Sequence, residues 1–380
     1  MAGIFDYITW RGDLSFQQVP INAVDALIFS ALAYIRYGGR TAESPDIPIR
    51  LKEASEEFFA QGNCEARVRV KNDLELLRLA ADSVRFGQSR LYMYRDAFIP
   101  EQETQFAAMT FLLDDGSMFL AFRGTDSSLI GWKEDFNMTF QQTIPAQRLA
   151  VQYVREVALE RIAPMRLGGH SKGGNLAVFA AARSSPMVQK RILEVYNNDG
   201  PGFTEYLMGD PGYLAMVPRV KTYIPQSSVI GMLLEHEEPY TVIRSKTVGV
   251  LQHDLYSWEL AGPKFVTMEE ITESSHFLDA TIKTWFAEMT NQERNQLVDV
   301  MFGLLSTGGV DHASDIFQPR NIRTYIKALS SDENLRRILS TEFQGLIEAA
   351  KKTRIQLEAA RDAQLLEEGN GESQYGTAGD

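Results

Sequence analysis

The feature that most constrains this chain is the run Gly169-His170-Ser171-Lys172-Gly173, set between an apolar stretch at 165–168 and a helix-period run over 175–182. A Gly-x-Ser-x-Gly run that leaves a strand and enters a helix is the nucleophile-elbow pattern, in which the glycines permit a turn sharp enough to lift the serine above the sheet edge. Gly168 and Gly174 extend the small-residue stretch on both sides, as a helix needs if it is to pack closely on the strand it leaves. A free hydroxyl is a poor nucleophile, so a serine placed this way also requires a base. The plain alternative is a Gly-Ser turn that only joins two elements. The strand and helix around it favour the catalytic reading.

The rest of the chain supplies a setting for such an elbow. Asn22 with Asp25 ahead of Leu27, Phe29, Leu32 and Ile35 predicts a capped helix, and helical patterns follow over 51–59 and 70–84. Residues 1–100 therefore read as a helical N-terminal lead-in packed on the core. Two apolar runs around a turn at Asp115-Gly116 predict a hairpin, a helix-period stretch covers 145–161, and 192–196 and 220–224 read as further strands. Strands alternating with helices imply an α/β fold with a mainly parallel sheet flanked by helices, over 101–262. After Pro263 the strand signals stop. Thr290 and Glu293 form a capping-box pattern, Ile282, Trp285, Phe286 and Met289 share one helical face, and a last helix is expected over 346–366. Residues 263–366 thus read as a C-terminal helical lobe, and the polar, Gly-rich 367–380 as a disordered tail.

Composition removes several classes of function. A net charge of −12 without a long Lys/Arg block lacks the footprint of a nucleic-acid binder. Cys64 is the one cysteine, so no intrachain disulfide forms, which suits a reducing compartment. The N-terminal stretch is broken by Asp6, Arg11 and Asp13, unlike a secretory signal, and no uncharged apolar run is long enough to cross a bilayer. The expectation is a cytoplasmic protein without a transmembrane segment, and neither a metal nor an organic cofactor is implied.

Acyl transfer needs donors aimed at the developing oxyanion. An elbow of this kind offers the N–H after the nucleophile and another from an earlier strand-to-helix loop. Lys172 and Thr125, the latter in Phe122-Arg123-Gly124-Thr125-Asp126, are the proposed donors. Alternatively Arg123 and Asp126 pair to brace that loop.

The pair FRGT…W…D and GHSxGG, in this order and separation, resembles the class 3 lipases of the α/β-hydrolase fold over about 106–253. NNDGPGF at 197–203, with PQSSVIGMLLEHEEPYTVI and QHDLYSW further on, resembles still more a bacterial α/β-hydrolase family of unknown function related to those lipases, over nearly the whole chain. The resemblance implies the α/β-hydrolase fold and an esterase-like or lipase-like activity. Five histidines are available: His170, His236, His253, His276 and His312. His253 sits where the late histidine of this fold belongs, with His236 in reserve. His170 lies inside the elbow, while His276 and His312 fall in the lobe. Class 3 lipases place their acid after the strand that here reads 220–224, but this chain has Pro225-Gln226-Ser227-Ser228 there. Asp199, after the preceding strand, is the expected acid unless it only caps the turn Asp199-Gly200-Pro201-Gly202; Glu235 and Glu237 are the alternatives. The segment 203–216 reads as an apolar lid or as an insert packed on the core. Lys172, apolar in those lipases, reads as a group facing an anionic part of the substrate or as a surface salt bridge.

The leading expectation is a serine hydrolase of carboxylic esters, extending to lipid or acylglycerol esters, acting through an acyl-enzyme. The alternative is a catalytically weak scaffold that binds a partner through its helical lobe, since triad chemistry does not need the long stretch beyond His253.

Overall fold

The computed structural model of the protein describes residues 2–126, 128–307 and 319–372. Eight strands form one sheet: β1 (Ile49–Arg50), β2 (Arg90–Ile99), β3 (Thr104–Leu112), β4 (Met118–Phe122), β5 (Met165–His170), β6 (Ile192–Asn198), β7 (Val220–Pro225) and β8 (Tyr240–Ile243). They lie side by side in chain order. β1 to β4 pair antiparallel and β4 to β8 parallel.

This order decides which side is covered by what. Crossovers between parallel strands are right-handed, so steps that always move in one direction drop every crossover helix onto the same face. The helices Pro145–Glu160, Lys172–Ala182 and Pro211–Met216 share one core with Met118, Leu120, Phe122, Leu167 and Val195. The alternate residues Phe119 and Ala121 face the other way. That second face is closed by the lead-in, through Val24, Leu27 and Ile28 of the helix Ala23–Leu32 and Leu77 and Ala80 of Asn72–Asp82. The result is the α/β-hydrolase fold expected from the sequence. Asn22 caps the first of these helices by accepting from the N–H groups of Val24 and Asp25. Buried Asp25 also binds Arg85 at 2.6 Å, a tie that the sequence pattern does not reveal.

The lead-in is not wholly helical: β1 and β2 both fall within 1–100. β2 escapes a period-2 reading because its register with β3 shifts between Tyr92 and Arg95, with Met93 at φ 53°. The bulge breaks the alternation, so four successive residues, 91–94, are buried. Strand structure also continues briefly past Pro263. Lys264–Phe265 pairs antiparallel with Leu260–Ala261, too short to show any alternation, and Phe265 packs its ring 5.7 Å from Trp258 and 4.8 Å from Tyr223. The lobe helices are Glu273–Ala287, Asn291–Ser306, Pro319–Ser331 and Glu333–Glu372. The last of them carries on through 367–372, which the composition had assigned to the tail, because extending an established helix adds one bond per residue fixed. Residues 373–380 lie outside the described residues.

Candidate active site

β5 ends at His170, and the helix Lys172–Ala182 starts two residues later, so Ser171 alone makes the turn. It does so at φ 59°, ψ −135°, a conformation a non-glycine residue holds only where the surroundings impose it. The glycines are what let the turn close. A Cβ on Gly169 would fall 2.2 Å from the Gly173 carbonyl carbon, and one on Gly173 would fall 2.1 Å from the Phe122 carbonyl oxygen. Ser171 N–H donates to the Asn198 carbonyl at 3.0 Å, which sets the elbow beside the end of β6.

Asp199 follows directly on β6, fully buried, at φ 54°. One carboxylate oxygen lies 2.6 Å from His253 Nδ1, and the other accepts the Ser228 hydroxyl at 2.5 Å. Turn capping, the competing role for Asp199, falls to its neighbour: Asn197 Oδ1 accepts from Gly200 N–H at 3.0 Å. Ser228 stands in the stretch after β7 where a lipase-type aspartate was missing. A hydroxyl from that position thus braces the carboxylate supplied by β6. His253 ends the 3₁₀ turn Gly249–His253, and its ring lies 4.5 Å from that of His170, centroid to centroid. Among the described residues nothing hydrogen-bonds to its Nε2.

Lys172 does not face substrate, nor is it at the surface. Its ammonium is buried, 2.8 Å from Glu134 and 3.6 Å from Asp135, and also donates to the Gln105 carbonyl at 3.2 Å. Burial alone would lower its proton affinity, but the two carboxylates outweigh it and hold it above the ordinary lysine range. The proposed donor at position 172 is the main-chain N–H. Thr125 uses its hydroxyl to bond Asp135 at 2.6 Å. Burial pushes the Asp135 carboxyl up to about 6, against the opposing pull of Lys172 and Thr125. Among the described residues no backbone acceptor engages the N–H of Thr125 or of Lys172. Arg123 and Asp126 do not pair with each other: Arg123 binds Asp96 at 2.6 Å, and Asp126 binds Arg36.

With this geometry in view, comparison with known proteins adds a family. The model of the Mbeg1-like family matches residues 80–303, more than half of the chain and the whole span from β2 to the first lobe helices. The chain belongs to the Mbeg1-like family. Curated protein sequences give no match. Among solved structures the chain is similar to the Rhizomucor miehei lipase in its propeptide complex, at 14% identity and a TM-score of 0.33, over 57% of this chain and 66% of that one. It is also similar to a Penicillium cyclopium MDLA variant, at 12% identity and a TM-score of 0.36, over 66% of this chain and 87% of that one.

Of the remaining candidates in this Mbeg1-like chain, His236 and Glu235 are engaged elsewhere. His236 binds Glu238 through Nδ1 at 3.0 Å and the Gly231 carbonyl through Nε2 at 2.8 Å. Glu235 is exposed and pairs with Lys283 of the lobe at 3.0 Å, and Glu237 is exposed. His276 is exposed on the helix Glu273–Ala287, and His312 lies outside the described residues. The segment 203–216 packs Phe203, Leu207 and Tyr213 into the core while Tyr206 and Leu214 stay exposed, which fits a packed insert better than a free lid. The lobe reaches the site after all: Ser275 donates to the Ser228 carbonyl, and Thr272 N–H to the Gln226 carbonyl at 2.7 Å. Among the described residues no cluster of side chains could hold a metal ion, and no helix is long and apolar enough to cross a membrane.

Proposed function

We propose that this protein is a serine hydrolase that cleaves carboxylic esters through an acyl-enzyme, with lipid or acylglycerol esters as its substrate class. Ser171 Oγ attacks the ester carbonyl while His253 Nε2 takes its proton and then returns it to the departing alkoxide. Asp199 holds His253 Nδ1–H and stabilises the imidazolium. The N–H groups of Thr125 and Lys172 receive the oxyanion. Water then repeats the sequence on the acyl-enzyme and releases the acid. The observation that carries this reading is the 2.6 Å contact between buried Asp199 and His253, on a ring whose other nitrogen has no partner among the described residues and which lies 4.5 Å from the ring of His170, the residue before the strained elbow serine. The lipid class is supported by the resemblance of FRGT…W…D and GHSxGG to the class 3 lipases. A cytoplasmic setting belongs to the same proposal, supported by a single, free cysteine, Cys64.

The test is turnover of purified protein on a panel of acyl esters and acylglycerols. Ser171→Ala is expected to lower kcat by about 10⁴-fold or more with Tm nearly unchanged. A variant keeping more than about a tenth of wild-type turnover, far above such a loss, would remove Ser171 as nucleophile.

A further inference from the structure

His253 sits on a loop, and a loop must be held from outside if a ring on it is to stay aligned. Besides the local bonds of Gln252 to Ser227, Thr247 and Trp258, contacts that hold it come from the face of the sheet covered by the lead-in. His170 is 1% exposed, and burial, aided by the neighbouring His253 ring and the Arg69 guanidinium, keeps its imidazole well below the ordinary histidine range and so neutral. A neutral imidazole has one donor and one acceptor. Its Nε2 lies 2.7 Å from the main-chain carbonyl oxygen of His253, which only accepts, so the proton is on Nε2. Nδ1 is then an acceptor, and the Tyr34 hydroxyl donates to it at 2.9 Å. Tyr34 lies just past the helix Ala23–Leu32, its ring 4.8 Å from the Arg69 guanidinium. Arg69 in turn pairs at 3.2 Å with Asp254, the residue after His253. Asp73 takes the Tyr256 hydroxyl at 2.6 Å on one oxygen and the N–H groups of Arg69 and Val70 at 2.8 and 3.0 Å on the other.

From this geometry we infer that the N-terminal lead-in is part of the catalytic apparatus: Tyr34 fixes the tautomer of His170, and His170, Arg69 and Asp73 pin the main chain that carries His253. All four are positioning residues, acting through His253. The inference rests on the roles proposed for Ser171 and His253. Tyr34, Arg69 and Asp73 all precede the span 80–303 matched by the family, whereas His170 lies within it, so three of the four clamp residues come from outside that span.

The experiment compares the full-length wild type with His170→Leu, His170→Gln and Tyr34→Phe. It reads the second-order rate at which a fluorophosphonate labels Ser171, together with kcat and KM on p-nitrophenyl butyrate and Tm. His170→Leu fills the space without a donor and should lose about 100-fold in labelling rate and kcat, the scale of a 1 Å misplacement, with KM little changed. His170→Gln returns an N–H near the Nε2 position and should recover about tenfold of that loss. Tyr34→Phe keeps the ring beside Arg69 and should lose about tenfold, carrying the test alone if His170→Leu does not fold. Equal labelling of the Leu and Gln variants, or wild-type behaviour of Tyr34→Phe, would overturn the inference while leaving a labelled Ser171 intact. A wild type that is not labelled at Ser171 would instead defeat the underlying reading, and this inference with it.

Discussion

Two histidine–carboxylate pairs stand close together in this protein and are built to different ends. His253 meets Asp199 at 2.6 Å, with its side chain 26% exposed and no partner for Nε2 among the described residues. His236 meets Glu238 at 3.0 Å, but its second nitrogen is bound to the Gly231 carbonyl and its side chain is only 6% exposed. A histidine with both nitrogens occupied is a strut, whereas one with a free nitrogen facing an opening can carry a proton. The carboxylates differ to match. Burial pushes Glu238 up, but hydrogen bonds from His236, Thr222 and Tyr213 outweigh it and hold it below the ordinary range, as suits a fixed structural charge. The strut also supports the working pair. His236 holds Gly231, Gly231 N–H bonds the Ser228 hydroxyl at 2.9 Å, and Ser228 bonds Asp199.

The largest expected effect separates the pairs directly. Asp199→Asn keeps the shape but imposes the wrong imidazole tautomer, and kcat should fall about 10⁴-fold. Glu238→Gln should leave kcat within about tenfold of wild type, because the tautomer of His253 is untouched, while lowering stability by about 1.5 to 3 kcal/mol through its charged hydrogen bonds. Urea unfolding beside steady-state kinetics checks both; a deep kinetic loss in Glu238→Gln would erase the distinction. Next comes the bridge between the pairs. Ser228→Ala strips one donor from a buried carboxylate, a loss of about 1.5 to 3 kcal/mol if wholly expressed in the transition state, or roughly 10- to 150-fold in kcat. Unchanged kcat would mean that Asp199 needs no second brace.

The smallest effect concerns His170, the ring between elbow and working pair. Its folded proton affinity is depressed, so its contribution to stability is present above the ordinary histidine pKa of about 6.5 and is lost as pH falls, by about 1.4 kcal/mol per pH unit. Thermal melts between pH 7 and 5 should show wild type losing Tm faster than His170→Gln. Parallel curves would mean that His170 takes up its proton in the folded state.

The parts of this site that are legible in the sequence are those made by neighbours along the chain. The elbow glycines, the Asp115-Gly116 hairpin and the Asn22 cap each depend on a few adjacent residues. What stays hidden comes from contacts distant in sequence or from local breaks in period. Nothing near Lys172 announces that Glu134 will bury its charge, and nothing in Pro225-Gln226-Ser227-Ser228 says that a hydroxyl will reach Asp199. β2 was obscured by its bulge at Met93, and the turn cap at Asn197 rather than Asp199 is a matter of side-chain direction that composition does not fix. Tyr34 and His170 meet only because the lead-in folds over the face that no crossover helix can cover.

The most direct test of the central claim is to map the residue modified by a fluorophosphonate in wild type, His253→Asn and His236→Asn, by mass spectrometry of the digested full-length protein. A working pair at Asp199 and His253 predicts an adduct on Ser171 in wild type and in His236→Asn, and almost none in His253→Asn. An adduct on another residue, or labelling of Ser171 in His253→Asn at the wild-type rate, would contradict it.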